Sequence, residues 1–98
     1  MITSKQRSYL RGLAQQLDAT VYIGKQGLTD NVVREIETGL NSRELVKVKI
    51  QEGCELEPKT IANEMADRLS AEFVQAIGRK FVLYRESKDN KQIELPRR

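Results

Sequence analysis

The residues best placed to do chemistry are Gly24-Lys25-Gln26-Gly27, which stand between the β-rich run Thr20-Val21-Tyr22-Ile23 and a helix start at Thr29. The first turn of a helix carries unpaired backbone N–H groups and the positive end of the helix dipole, so a loop feeding into it favours an anion. Two glycines remove the side chains that would hold a sugar-phosphate backbone away, and Lys25 between them adds a charge-assisted contact that reads no base. The plain alternative is that the glycines only turn a strand into a helix. The string is not a Walker loop, which needs four residues between its glycines followed by Lys-Ser/Thr, nor the three-glycine dinucleotide fingerprint.

Other chemistries find little support. There is no histidine, so Ser-His-Asp and Cys-His arrangements are excluded, and the single cysteine, Cys54, forms neither an internal disulfide nor a Cys/His metal cluster. Carboxylate pairs such as Glu35/Glu37 and Glu55/Glu57 are i, i+2 neighbours, which do not face each other on a helix. No catalysis, cofactor, metal or small-molecule substrate is expected.

The charge is unevenly placed. The formal net charge is +3, but residues 1–49 carry eight Lys/Arg against five Asp/Glu, residues 50–78 two against six, and residues 79–98 seven against three. A fold that joins the two basic segments and turns the acidic one away presents a positive face suited to a polyanion. A solvated surface of mixed charge is the alternative.

The elements that must position these residues follow from pattern. At 98 residues, 39% hydrophobic and 32% charged, the chain fits one water-soluble domain spanning 1–98. It has no apolar run of membrane-spanning length and no secretory-type start, which points to the cytoplasm and to no membrane partner. Thr3 and Gln6 form a capping box ahead of Leu10, Leu13, Ala14 and Leu17, an amphipathic first helix whose outer surface carries Lys5, Arg7 and Arg11. Gly12 inside it predicts close packing by another element. After the glycine loop, Thr29 caps a second helix with a stripe at Val32, Val33, Ile36 and Leu40; Gly39 and Asn41 predict its end near residue 40. Glu44–Gln51 alternates as a strand, Pro58 opens a third helix through Ile61, Ala62, Met65 and Leu69, and residues 73–77 and 81–85 form a hairpin about Gly78, Arg79 and Lys80.

The order α-β-α-β-α-β-β predicts an α/β fold with a mixed four-stranded sheet. Helices two and three share one face, helix one covers the other, and the first three strands lie as parallel neighbours through crossovers. That second face is expected to carry Leu45, Phe73, Ile77, Phe81 and Leu83. Tyr22 is assigned to the core edge, with base stacking as the alternative. Residues 86–98 read as a charged, mobile tail in which Ile93 and Leu95 could add an edge strand, and the cations Lys88, Lys91, Arg97 and Arg98 read as solvated charges.

Several segments, in order, resemble the YhbY-like proteins, stand-alone bacterial versions of the CRM (chloroplast RNA splicing and ribosome maturation) domain. They are Lys5-Gln6-Arg7 with Leu10-Arg11-Gly12-Leu13-Ala14, Ile23 to Thr29, Glu44 to Ile50, and Gln75 to Arg85. The resemblance covers nearly the whole chain. It implies the fold of the C-terminal domain of translation initiation factor three with an extra N-terminal helix, RNA binding, and association with precursors of the large ribosomal subunit. It likens Gly24 to Gly27 to the GxxG loop of KH domains and maps basic residues onto Arg7, Arg11, Lys47 and Lys49.

The leading expectation is a non-enzymatic, monomeric RNA-binding module. Gly24, Lys25, Gln26 and Gly27 admit and hold the backbone, Lys5, Arg7, Arg11, Lys47 and Lys49 widen the positive footprint, and Arg79 and Lys80 join at the hairpin tip. The rivals are an adaptor that docks a basic ribosomal protein through Glu57, Glu64 and Asp67, and a DNA-binding chromosomal protein.

Overall fold

Thr3 accepts a hydrogen bond from the amide of Gln6 while the Gln6 side chain accepts one from the amide of Thr3, and this reciprocal box starts helix α1, Ser4–Ala14. The computed structural model describes residues 2–97 and continues with strand β1 (Val21–Ile23), helix α2 (Asp30–Arg43), strand β2 (Leu45–Ile50), helix α3 (Pro58–Leu69) and the hairpin β3 (Glu72–Ile77) and β4 (Lys80–Tyr84). Arg98 lies outside the described residues. No helix among them is long and apolar enough to cross a membrane.

The four strands form one mixed sheet in the order β1-β2-β4-β3. β1 and β2 are parallel, as expected, but β2 and β3 are not neighbours: β4 lies between them, antiparallel to both. The two-residue turn Gly78-Arg79, with Gly78 at φ +59°, folds β4 back along β3, and β4 then takes the inner place beside β2. Its run Phe81-Val82-Leu83-Tyr84 is buried on both faces, which favours an inner position over an edge.

This order also revises the faces. Phe81 and Leu83 lie opposite Val48 and Val46, so they join the core beneath α2 and α3 together with Val21, Ile23 and Ile50, and Phe73 packs partly against it. The face beneath α1 holds Leu45, Val74, Val82 and Tyr84 against Leu10 and Ala14. A bulge at Val74, between Phe73 and Gln75, puts Val74 on that face. Ile77, expected beneath α1, is 67% exposed. Alternation groups the residues of one strand, but only register says which face a neighbour's residues share.

Other expectations meet local packing. α2 runs on to Arg43 and is ended by Glu44 in the left-handed region at φ 67°. Gly39 is not a stop; a Cβ there would come within 2.8 Å of Val46 Cγ2, so the glycine lets α2 lie close on β2. Gly12 faces open space, with no neighbour within 4 Å of a Cβ, and the close packing expected there is absent. Leu17 lies beyond the end of α1 and is exposed. Glu57 is the N-cap of α3: amide donation from Thr60, the Thr60 hydroxyl and the Lys59 amide hold its carboxyl below the usual value.

The described residues after β4, 85–97, are docked rather than loose, and they add no strand. Glu44, fully buried, accepts hydrogen bonds from the amides of Ser87 at 2.7 Å, Gln92 at 2.6 Å and Ile93 at 2.8 Å, while Ile93 and Leu95 pack beside the α1 core and Gln6 Nε2 donates to the Pro96 carbonyl. Burial pushes the Glu44 carboxyl up, but the three amides and Lys91 outweigh it and hold the group below its ordinary value. The stabilisation is therefore complete above the ordinary carboxylate range and fades as pH falls through the lowered value.

Gly12→Ala should raise unfolding stability by about 0.5–1 kcal/mol, whereas Gly39→Ala should lower it by about 1–3 kcal/mol, as read by denaturant titration. Glu44→Gln should cost on the order of 1–3 kcal/mol at neutral pH and speed amide exchange at residues 87–93, and its deficit against the parent chain should shrink on acidification below about pH 4.

Candidate nucleic-acid interface

The glycine loop sits where β1 ends, at the same end of the sheet as the 78–79 turn and the segment joining β2 to α3. A turn closes it, the Gly27 amide donating to the Gly24 carbonyl at 3.0 Å, with Gly27 at φ +72°. Gly27 is thus required by backbone conformation. Gly24 is not: its φ is ordinary for an L residue, and a Cβ there would only reach the flexible Gln51 side chain at 3.4 Å. Among the described residues nothing requires position 24 to be bare.

Thr29 caps α2 through the Val32 amide, and Leu28 and Val33 pack against the core on either side of the cap. The amides of Lys25, Gln26 and Leu28 take no partner among the described residues. Asp30 in the first turn of α2 partly offsets the helix's positive end, so these loop amides and Lys25 are the stronger anion donors. Lys25 is exposed, and its stem passes over Gly53, where a Cβ would stand 3.3 Å from Lys25 Cε. Gly53, at φ +91°, supports the lysine stem from the neighbouring loop.

The expected cations do not form one cluster. Lys49 and Lys80 lie directly opposite each other on β2 and β4, so the two basic segments of the chain do meet. Both are exposed on the face away from α2 and α3, and neither has an ion-pair or hydrogen-bond partner among the described residues. Lys47 shares that face but donates from Nζ to the Leu17 carbonyl at 2.8 Å, tying down the chain after α1. α3, with exposed Glu64 and Asp67, covers the opposite face and turns the acidic segment away.

Arg7 and Arg11 stand across the sheet from the glycine loop. They line a groove along the free edge of β3 with Lys59, which sequence pattern did not single out, and Arg7 Nε donates to the Phe73 carbonyl at 3.0 Å. Lys5 is exposed on the outer side of α1, about 140–180° around the helix from Leu10 and Ala14, and joins neither group. Arg79 is committed elsewhere: its guanidinium donates to the carbonyls of Ile50 at 3.3 Å, Gln51 at 3.1 Å and Cys54 at 2.6 Å, closing the end of β2. Arg85 similarly ties the Leu69 carbonyl, Asn41 and Glu37.

Tyr22, assigned to the core edge by pattern, is 49% exposed beside Lys49. Its burial alternates with that of Val21 and Ile23, so the strand presents it on the open face. Nearby, Gln15, Lys47, Gln75, Ile77, Lys80 and Val82 line a shallow depression of about 210 Å³. Among the described residues no group of three or more Cys, Asp or Glu side chains is arranged to hold a metal.

Comparison with known proteins places this chain in a family. The "Probable RNA-binding protein YqeI" of Bacillus subtilis is 42% identical over 98% of this chain and its own whole length. An "RNA-binding protein" of Haemophilus influenzae is 44% identical over 99% of this chain and 97% of its own. A Staphylococcus aureus protein solved in solution superposes with a TM-score of 0.82 at 43% identity, covering 98% of this chain and all of that one. The family model for the CRS1/YhbY (CRM) domain matches residues 2–85, and the chain belongs to that family.

Proposed function

We propose that this protein is an RNA-binding module that docks on ribosomal RNA in precursors of the large ribosomal subunit and performs no catalysis of its own. The observation that carries the RNA reading is the loop of residues 24–27. Among the described residues, nothing requires Gly24 to be bare and the amides of Lys25, Gln26 and Leu28 have no partner, while Gly53 supports the Lys25 stem. Its relatives are named RNA-binding proteins, which supports the same class of partner. The ribosomal setting follows from family resemblance.

Gly24 admits the sugar-phosphate backbone, and Lys25 with the loop amides holds a phosphate. Lys49 and Lys80 extend the footprint over the open sheet face, with Lys47 contributing what its bond to Leu17 leaves free. Arg7 and Arg11 form a second contact along the β3 edge, meeting the open face at Ile77, and Lys5 adds only long-range attraction. Arg79 acts by shaping the end of β2 beside the loop.

RNA affinity should fall steeply from low to moderate salt as bound counterions are released. Lys25→Glu should weaken binding alike across unrelated sequences and reduce the slope of log affinity against log salt by about 1; a flat salt response would overturn the reading. In gradient sedimentation of a cell extract, the protein should travel with large-subunit precursors, and crosslinking should recover ribosomal RNA. Recovery of chromosomal DNA instead would favour the DNA-binding rival.

A further inference from the structure

The register of the sheet sets four exposed residues in one row across the open face. Tyr22 on β1 lies opposite Lys49 on β2, Lys49 opposite Lys80 on β4, and Lys80 opposite Ile77 on β3. Neighbouring strands are about 4.8 Å apart, so the row spans roughly 14 Å, with an aromatic ring at one end, an aliphatic side chain at the other and two ammonium groups between them. None of the four joins the core beneath α1, which packs on Leu45, Val74, Val82 and Tyr84, although Ile77 also borders the groove of Arg7 and Arg11.

Two features of this row favour a bound partner. Like charges directly opposite each other on adjacent strands repel, and Lys49 and Lys80 have no acidic partner among the described residues to relieve them. Ile77 exposes 67% of its surface and Tyr22 49%, apolar area that a partner's flat groups would bury. An anion between the lysines relieves the repulsion, and flat apolar groups at the two ends gain from covering the exposed side chains. Tyr22 is also held in advance of any stacking. Its hydroxyl donates to the Ala19 carbonyl at 3.1 Å, which ties the ring at both ends and lowers the entropy lost when a base lies on it.

We infer that the row Tyr22-Lys49-Lys80-Ile77 is a docking strip for unpaired RNA, with one base stacked on Tyr22, the connecting phosphate between Lys49 and Lys80, and a second base lying on Ile77. The strip rests on the RNA-binding reading and narrows it to single-stranded segments, because a ring takes a base face only where that base has left its helical stack. The glycine loop begins two residues after Tyr22, at the end of the same strand, which sets the two contacts side by side.

The test uses the full chain with an unstructured RNA oligomer and an RNA duplex of equal length, read by fluorescence anisotropy at low salt. Tyr22→Ala should weaken oligomer binding roughly tenfold and leave duplex binding within about twofold, whereas Tyr22→Phe should keep most of the affinity. The chain has three tyrosines and no tryptophan, so stacking on Tyr22 should quench intrinsic tyrosine emission when the oligomer binds, and Tyr22→Phe should remove that quenching. Ile77→Ser should produce a smaller selective loss, independent of any change Tyr22→Ala makes to folding. Equal losses on both RNAs, or no loss on either, would overturn the strip while leaving the Lys25→Glu effect intact. Failure of the unmodified protein to bind any RNA would overturn both.

Discussion

One sheet face has too little helix to cover it, and the arrangement of the candidate site follows from that. α1 has 11 residues, a length of roughly 16 Å, and lies against the end of the sheet where β2 begins and β4 finishes. The chain after β4, held by the buried Glu44 carboxylate, adds Ile93 and Leu95 to the same end. The opposite end of that face stays open to water. There the strands change from Leu45, Val82 and Tyr84 to Lys49, Lys80 and Tyr22, while the face beneath α2 and α3 stays apolar along its whole length.

Arginines and lysines divide the basic work. Arg79 spreads one guanidinium over three carbonyls at the end of β2, Arg85 joins α2 to the end of α3, and Arg7 occupies a carbonyl on the free edge of β3. A planar fork with five donors suits several fixed acceptors at once, and on an edge strand such a contact also blocks pairing with another chain. Lys25, Lys49 and Lys80 instead keep their ammonium groups in water on exposed surfaces. The positive charge free for a partner is therefore smaller than the segment counts imply, and Lys25, Lys49 and Lys80 set part of it near the glycine loop.

The elements were legible because their signals are local. The capping box at Thr3, the cap at Thr29, Pro58 at the start of α3 and the period-two run Leu45–Ile50 act within a few residues of themselves, and neighbouring structure does not reverse them. Glycines were less legible because one residue type answers several needs. Gly39 permits a close approach that involves Val46 from another element, Gly27 supplies a positive φ, and a Cβ on Gly12 would meet no described residue within 4 Å. The docking of residues 87–96 was hidden because its anchor, Glu44, looks in sequence like one more surface carboxylate at a helix end.

Local pattern along the chain was enough to specify seven elements in order, the strand-loop-helix setting of Gly24-Lys25-Gln26-Gly27, and the clustering of positive charge in two separated segments. Packing in three dimensions was needed to set β4 between β2 and β3, to bring Lys49 against Lys80, and to turn Tyr22 and Ile77 to water and Arg79 to backbone carbonyls. Caps, turns and periodicity arise from interactions between residues close along the chain. Register and partner choice depend on contacts between strands far apart in sequence, and a one-residue slip would send every side chain of a strand to the other face.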